Sequence, residues 1–337
     1  MRRARNCLWY FTVVLAIVAF LQLGFFLFTQ LSPSTFTSST SNSYQFFRQL
    51  GSEQELENAT QTTTVPQHLY TESTWNFEHK TTLITNRTCV QYYFLLILVS
   101  SAPANLHRRD HIRKTWAFES AFKPRWTTFF LVAQTPLQTE SNSLLKEDEV
   151  YGDLVRADYF DHYWNQTLKI QMGFEWATRY CKFSFLLKVD DDVFVNSAGL
   201  LSFLSKPTTP KENLYTGERR INPPADRARK WKVTIDEYKE KRYPDFCPGF
   251  GFVLSHDVVV KFLKAFSIVP FFRLDDVYVG MLANKTGIKI IHNAGFELNA
   301  PNRCIPHEGT LVRHETLGDC LIEIFNRAAK LVKYTGV

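Results

Sequence analysis

Seven residues, Phe183-Ser-Phe-Leu-Leu-Lys-Val189, read as a buried β-strand and run straight into Asp190-Asp191-Asp192 and then Val193-Phe-Val195. An apolar run of this length fits a core strand of an open α/β sheet, and ligands bind at the carboxyl edge of such sheets. Three carboxylates at one edge ask for a cation. Oxygen donors with no His or Cys beside them favour a hard ion, Mn2+ or Mg2+, which usually enters a site together with phosphate. A nucleoside diphosphate is therefore the first ligand class implied. An Asp triplet alone is more often a solvated turn or a helix cap, but such a turn would not need apolar residues on both sides.

The chain around this run alternates strand and helix. Tyr92 to Val99 is apolar almost throughout and suits a central parallel strand, while Thr127 to Ala133 and Asp153 to Ala157 read as shorter ones. Asn165 to Cys181 carries Ile170, Phe174, Ala177 and Cys181 on one helical stripe and leads directly into the Asp-bearing strand. This order predicts a mostly parallel sheet flanked by helices. After the first strand, Asn105 is placed to cap a helix in which Ile112 and Trp116 share one face and Arg109 and Arg113 another. Arginines at that edge would meet phosphate bidentately, although a solvated basic face is an equal reading of the same residues.

Three later segments carry further signals. Arg219 to Lys241 is dense in charge and reads mainly as a solvated excursion, with Trp231 to Ile235 as a candidate strand and contact with an acceptor as the alternative. In Tyr243-Pro-Asp-Phe-Cys-Pro-Gly-Phe-Gly-Phe-Val-Leu-Ser255, Gly249 and Gly251 let backbone approach a neighbour closely, and Phe250 and Phe252 offer flat surfaces of the kind sugars stack on. A bulged core strand is the plainer alternative. Ser255 is placed to cap a helix whose Val259, Phe262, Leu263 and Phe266 face the core. Asp275-Asp276 opens another helix, whose dipole is expected to keep a carboxylate ionised at neutral pH, as a proton acceptor requires. His314 follows a short apolar run, and taken alone it is an ordinary structural histidine.

Composition is uneven along the 337 residues. From Cys7 to Phe28 there is no charged residue, which is enough apolar chain for a membrane-spanning helix. Arg2, Arg3 and Arg5 precede it, so residues 1–6 are expected in the cytosol, 7–28 as a signal-anchor and the rest across the membrane, in preference to a cleaved signal peptide. Residues 29–88, rich in Ser, Thr, Gln and Asn, read as a flexible stem, and 89–337 as one globular unit. Asn58, Asn86, Asn165 and Asn284 head glycosylation sequons. Cys89, Cys181, Cys247, Cys304 and Cys320 would then lie in an oxidising lumen, with one or two bridges and at least one thiol left over. A net charge of +6 with no basic, aromatic-interleaved stripe argues against nucleic acid as a partner.

Four blocks in order, Arg109-Asp-His-Ile-Arg-Lys-Thr-Trp116, Lys188-Val-Asp-Asp-Asp-Val-Phe-Val-Asn196, Tyr243-Pro-Asp-Phe-Cys-Pro-Gly249 and Asp275-Asp-Val-Tyr-Val-Gly280, resemble the β1,3-glycosyltransferase family of β1,3-galactosyl- and β1,3-N-acetylglucosaminyltransferases. The likeness runs from about Phe94 to Asn326 and includes Tyr163-Trp-Asn-Gln-Thr-Leu-Lys169. It implies a GT-A-type α/β fold and inverting, metal-dependent transfer from a UDP-sugar to a glycan on protein or lipid. Galactose is the expected sugar, with N-acetylglucosamine, N-acetylgalactosamine or a catalytically silent glycan-binding role as alternatives.

By the same resemblance Asp190 and Asp192 form the DxD element, with Mn2+ or Mg2+ held by Asp190, Asp192 and His314 and with Asp191 near the nucleotide. Arg109 and Arg113 would meet the UDP. Asp276 would be the base, assisted by Asp275, which stands where the family commonly has Glu. Phe250 replaces a small polar residue between the glycines, and Cys320 lies where no family cysteine is expected, which makes it the candidate unpaired thiol. A Golgi membrane location follows from the resemblance, and self-association is compatible with it.

Overall fold

The computed structural model describes residues 83–335, apart from 86 and 118–124. The expected anchor at 7–28, most of the stem and the sequons at Asn58 and Asn86 lie outside the described residues. Among the described residues no helix is long and apolar enough to cross a membrane.

In chain order the elements are β1 (Tyr92–Ser100), α1 (Leu106–Lys114), β2 (Trp126–Gln134), α2 (Gln138–Tyr151), β3 (Leu154–Phe160), α3 (Gln166–Tyr180), β4 (Lys182–Asp190) and β5 (Val193–Val195). There follow α4 (Ser197–Ser205), β6 (Tyr215–Gly217), β7 (Gly251–Ser255), α5 (His256–Ala265), α6 (Asp275–Thr286), β8 (Ile290–His292), β9 (Phe296–Glu297), β10 (Val312–His314) and α7 (Gly318–Thr335). One sheet has the order β3-β2-β1-β4-β7-β6-β8. Its first four strands run parallel, β7 is antiparallel to both of its neighbours, and β8 is parallel to β6.

The apolar runs explain this arrangement. Along β1, Leu95, Ile97 and Val99 pack with Ile112, Trp116, Leu144, Leu200 and Leu321 on one face of the sheet. Leu96 and Leu98 pack with Ile170, Phe174, Phe262 and Tyr278 on the other. A strand that is apolar on both sides needs helices on both faces, so α1, α2, α4 and α7 cover one and α3, α5 and α6 the other.

Topology then selects the site. The chain leaves β1 for β2 on one side while β4 flanks the other, and the register pairs Ser100 with Asp190, so the two carboxyl ends sit side by side. That edge is a topological switch point, where open α/β sheets bind ligands. A second sheet, β5-β10-β9, brings the late chain to the same place by pairing His314 with Val193.

Several sequence expectations are corrected in detail. Asn105 makes no capping bond, because its side chain donates to Asp191 instead, and α1 ends at Lys114 so that Trp116 reaches the core from a turn. The Ser255 hydroxyl donates to Asp257 and accepts from the Leu214 N–H, again with no cap bond to its helix. Trp231 to Ile235 forms no strand. The last residues assigned to the stem are fastened: Leu83 bridges Ala157, and Arg87 pairs with Asp148.

The cysteines also differ. Disulfides join Cys89 to Cys181 and Cys304 to Cys320, so the spare thiol among the described residues is Cys247 and not Cys320. The turn before β10 and the first turn of α7 bring Cys304 and Cys320 to a Cα separation of 4.9 Å, within bridging range. Cys247 lies fully buried, and burial pushes its thiol pKa up, which leaves it unreactive.

Candidate active site

A lysine inside an apolar strand builds the site. Lys188 is wholly buried in β4, yet it carries a charge that must find partners. Its Nζ donates to Asp190 Oδ1 at 2.8 Å and to the Gly249 carbonyl at 2.6 Å, and it lies 3.5 Å from Asp275 Oδ2. Burial alone would lower the lysine pKa, but Asp190 and Asp275 outweigh it and raise it. The two acidic segments, far apart in sequence, are thus joined through one ammonium group. Gly249 brings its carbonyl into this cluster, and a Cβ there would stand in ordinary contact with the Asp275 carboxylate at 3.5 Å and Lys188 Nζ at 3.6 Å.

The three aspartates of the triplet separate. Asp190 turns to Lys188, and its carboxyl is pushed up to about 6, by burial first, with Asp275 and Asp192 adding and Lys188 opposing. Asp191 points back into the fold, where it accepts from Ser101 Oγ at 2.7 Å, Asn105 Nδ2 at 2.8 Å and Arg108 Nη1 at 2.9 Å. Both of its oxygens are taken by protein, so it fastens β4 to α1 and does not face a nucleotide. Asp192 differs again, because its Oδ1 is buried with no hydrogen-bond partner and its Oδ2 lies 3.7 Å from His314 Nε2. Burial raises the Asp192 pKa and His314 opposes the rise.

An orphaned carboxylate oxygen with an imidazole beside it fits a divalent ion that accepts mixed oxygen and nitrogen donors, Mn2+ more readily than Mg2+. Among the described residues no group of three His, Cys, Asp or Glu side chains gathers as a ready ligand set. Asp190, expected as a third ligand, gives its Oδ1 to Lys188, while Asp192 and His314 lie side by side at the triplet.

Asp275 and Asp276 open α6 as expected. Asp276 Oδ1 accepts from the Val277 N–H at 2.7 Å. The expectation that the helix dipole keeps this group ionised at neutral pH is corrected: burial, then Asp275, lift its pKa to about 7, against which the Val277 bond works in vain. A carboxyl balanced near the working pH is well matched to accepting a proton.

Arg109 and Arg113 are committed to acceptors of the protein itself. All five donors of Arg109 are used inside the protein, on Glu147 twice, on Ser101 Oγ and on the Ala102 and Pro103 carbonyls, and the side chain is fully buried. Arg113 binds Glu147 and Asp153 and stacks on Tyr151 at 3.9 Å. The arginine that does stand at the triplet is Arg108, paired with Asp191 and close enough to Asp192 to oppose the rise in its pKa.

Phe250 and Phe252 are buried as well, Phe250 against the His314 ring at 5.5 Å and Phe252 against Tyr215, so neither offers a face to a sugar. Sequence reasoning missed the roles of Lys188 and Arg108. Only Lys188 left a clear signal, a charge in the middle of an apolar run.

Residues 107–294, more than half of the chain, match the family model described as Galactosyltransferase. The chain belongs to the galactosyltransferase family. Among curated proteins it is similar to β-1,3-galactosyltransferase 5 of Pan paniscus, 36% identical over 201 residues, covering 58% of this chain and 66% of that protein. β-1,3-Galactosyltransferase 1 of Mus musculus is 36% identical over 208 residues, covering 60% of this chain and 64% of that protein. The chain thus spans just under two thirds of the length of these relatives. A solved structure of the galactosyltransferase LgtC with donor and acceptor sugar analogues aligns at 10% identity and a TM-score of 0.37, covering 71% of this chain and 95% of that one. This last likeness is too loose to carry further weight.

Proposed function

We propose that the protein is an inverting, metal-dependent glycosyltransferase of the GT-A type that moves galactose from UDP-galactose to the 3-hydroxyl of an acceptor glycan on protein or lipid. The observation that carries this reading is the convergence, through Lys188, of Asp190 with Asp275 and its neighbour Asp276 at the switch-point edge, where Asp192 and His314 also meet. The names of its relatives, β-1,3-galactosyltransferases, support galactose as the sugar.

Asp192 and His314 are the residues that would hold Mn2+ or Mg2+. Such an ion, when bound, neutralises charge on a departing diphosphate. The chain's own groups supply the rest. Asp276, near neutral in its affinity for protons, accepts the proton of the acceptor hydroxyl as that oxygen attacks the anomeric carbon. The bond from that carbon to the diphosphate oxygen breaks, its electron pair leaves with UDP, and a single displacement inverts the configuration. Lys188 keeps Asp190 and Asp275 in register for this step, and Arg108 adds positive charge beside Asp192. An anchor at 7–28 with the remaining chain in the Golgi lumen is the topology that suits such a substrate.

The test is a donor panel. The full chain with Mn2+ should release UDP from UDP-galactose in the presence of a glycan acceptor, and faster than from UDP-N-acetylglucosamine or UDP-N-acetylgalactosamine. A faster rate with either of those reassigns the donor. Metal-dependent UDP binding without turnover of any donor would leave only a glycan-binding role.

A further inference from the structure

We infer that Tyr163 and Trp231 form the acceptor-sugar subsite, a wall against which an acceptor pyranose lies so that its hydroxyl meets Asp276. This rests on the transferase reading above and adds the residues that hold the second substrate.

The two side chains come from distant segments. Tyr163 stands in the single turn ahead of α3, and Trp231 in the charged excursion between β6 and β7. Each is 48% exposed, and together they present two adjoining aromatic rings to solvent. They are nevertheless fixed, because Trp231 Nε1–H donates to the Tyr163 hydroxyl at 2.6 Å. Exposed rings held in one orientation are preorganised surface and cost little entropy to use.

The wall is also tied to the proton acceptor. Tyr163 packs edge-on against Trp164 at 4.9 Å, and the Arg273 guanidinium covers the Trp164 ring at 4.1 Å. Arg273 lies two residues before Asp275 and is itself held by Glu237 of the same excursion. The excursion, the Tyr163 turn and the start of α6 are therefore one braced unit. Tyr163 lies near enough to Asp275, Asp276 and Asp190 to feel the charge of all three. With its oxygen accepting from Trp231, its own O–H remains available as a donor.

The chemistry selects a sugar. An apolar ring face matches the C–H face of a pyranose, and the Lys230 ammonium, which lies over the Tyr163 ring at 5.3 Å and the Trp231 ring at 5.1 Å from their centres, is the mobile charge that a pyranose hydroxyl would engage as the sugar takes its place on the rings. A wholly apolar ligand would bury the Lys230 ammonium and the Tyr163 O–H without a partner for either.

The test uses the full chain with Mn2+, the preferred UDP-sugar and methyl β-N-acetylglucosaminide or methyl β-galactoside as acceptor. Trp231→Ala should raise the acceptor KM about tenfold or more, with Trp231→Phe recovering part of the loss. UDP binding by calorimetry should stay within about twofold of wild type, which also verifies folding. An acceptor KM unchanged in Trp231→Ala overturns the subsite and leaves the transferase reading intact. If the wild type turns over nothing, the transferase reading fails, and saturation-transfer NMR decides the subsite. Sugar signals lost in Trp231→Ala then support it; signals equal in both proteins, or absent from wild type, overturn it.

Discussion

Asp276→Asn should make the protein more stable at pH 8 while abolishing transfer. The Asp276 carboxyl is driven from its ordinary 3.8 to about 7, by burial and then by Asp275. Between those values the folded protein holds the proton more tightly than the unfolded chain, so stability falls as the pH rises through the window. The cost is fully present above about pH 7 and absent below about pH 4. The interval from 3.8 to about 7 corresponds to ~4 kcal/mol. Solvent contact at this half-buried side chain reduces that to about 2 kcal/mol.

Asparagine keeps an oxygen for the Val277 N–H, so no helix-end bond is lost with the charge. For a domain of this size the gain is about 4–8 °C in Tm at pH 8, shrinking to nothing near pH 4. Thermal unfolding of the metal-free protein, followed by circular dichroism at pH 8, 6 and 4, measures it. A variant no more stable than wild type at pH 8 would refute the claim that Asp276 is ionised at a cost, and retained transfer would remove it as the proton acceptor.

Further outcomes follow from the same contacts. Lys188→Met should cost about 3 kcal/mol by stranding Asp190 and Asp275, and adding Asp190→Asn should recover part of it; an additive double variant in urea unfolding would argue against their coupling. Arg109→Lys should destabilise by roughly 3 kcal/mol with UDP affinity unchanged, and weakened UDP binding in a folded variant would return Arg109 to the nucleotide. His314→Ala should weaken Mn2+ binding in the presence of UDP by roughly tenfold or more, as read by calorimetry. Cys304→Ser should cost about 3 kcal/mol for a bridge closing a separation of 16 residues, seen as a lower urea midpoint.

Amphipathic and apolar periodicity is local information, which is why the strand runs at Tyr92, Thr127 and Phe183, the helices around Ile170 and Val259, and the acids at a strand end and a helix start were all legible from residue order. The same order marked the acids at 190–192 and 275–276 as groups to watch, whereas His314 was indicated only by the family resemblance. Which side chains meet is decided by register and crossing, and there the outcome was different. Arg109 and Arg113 sit on the predicted helix face, but α2 brings Glu147 over that face and consumes both. Asp190, Asp191 and Asp192 are consecutive and chemically alike, yet a sheet edge sends successive side chains in different directions, to Lys188, to Arg108 and toward His314. Residue order alone determined that this is an α/β protein with acids at a ligand-binding edge. Only the fold decided that a buried lysine joins those acids, that Phe250 and Phe252 face inward, and that Tyr163 and Trp231 face out, because contacts between distant segments depend on how the helices close over the sheet.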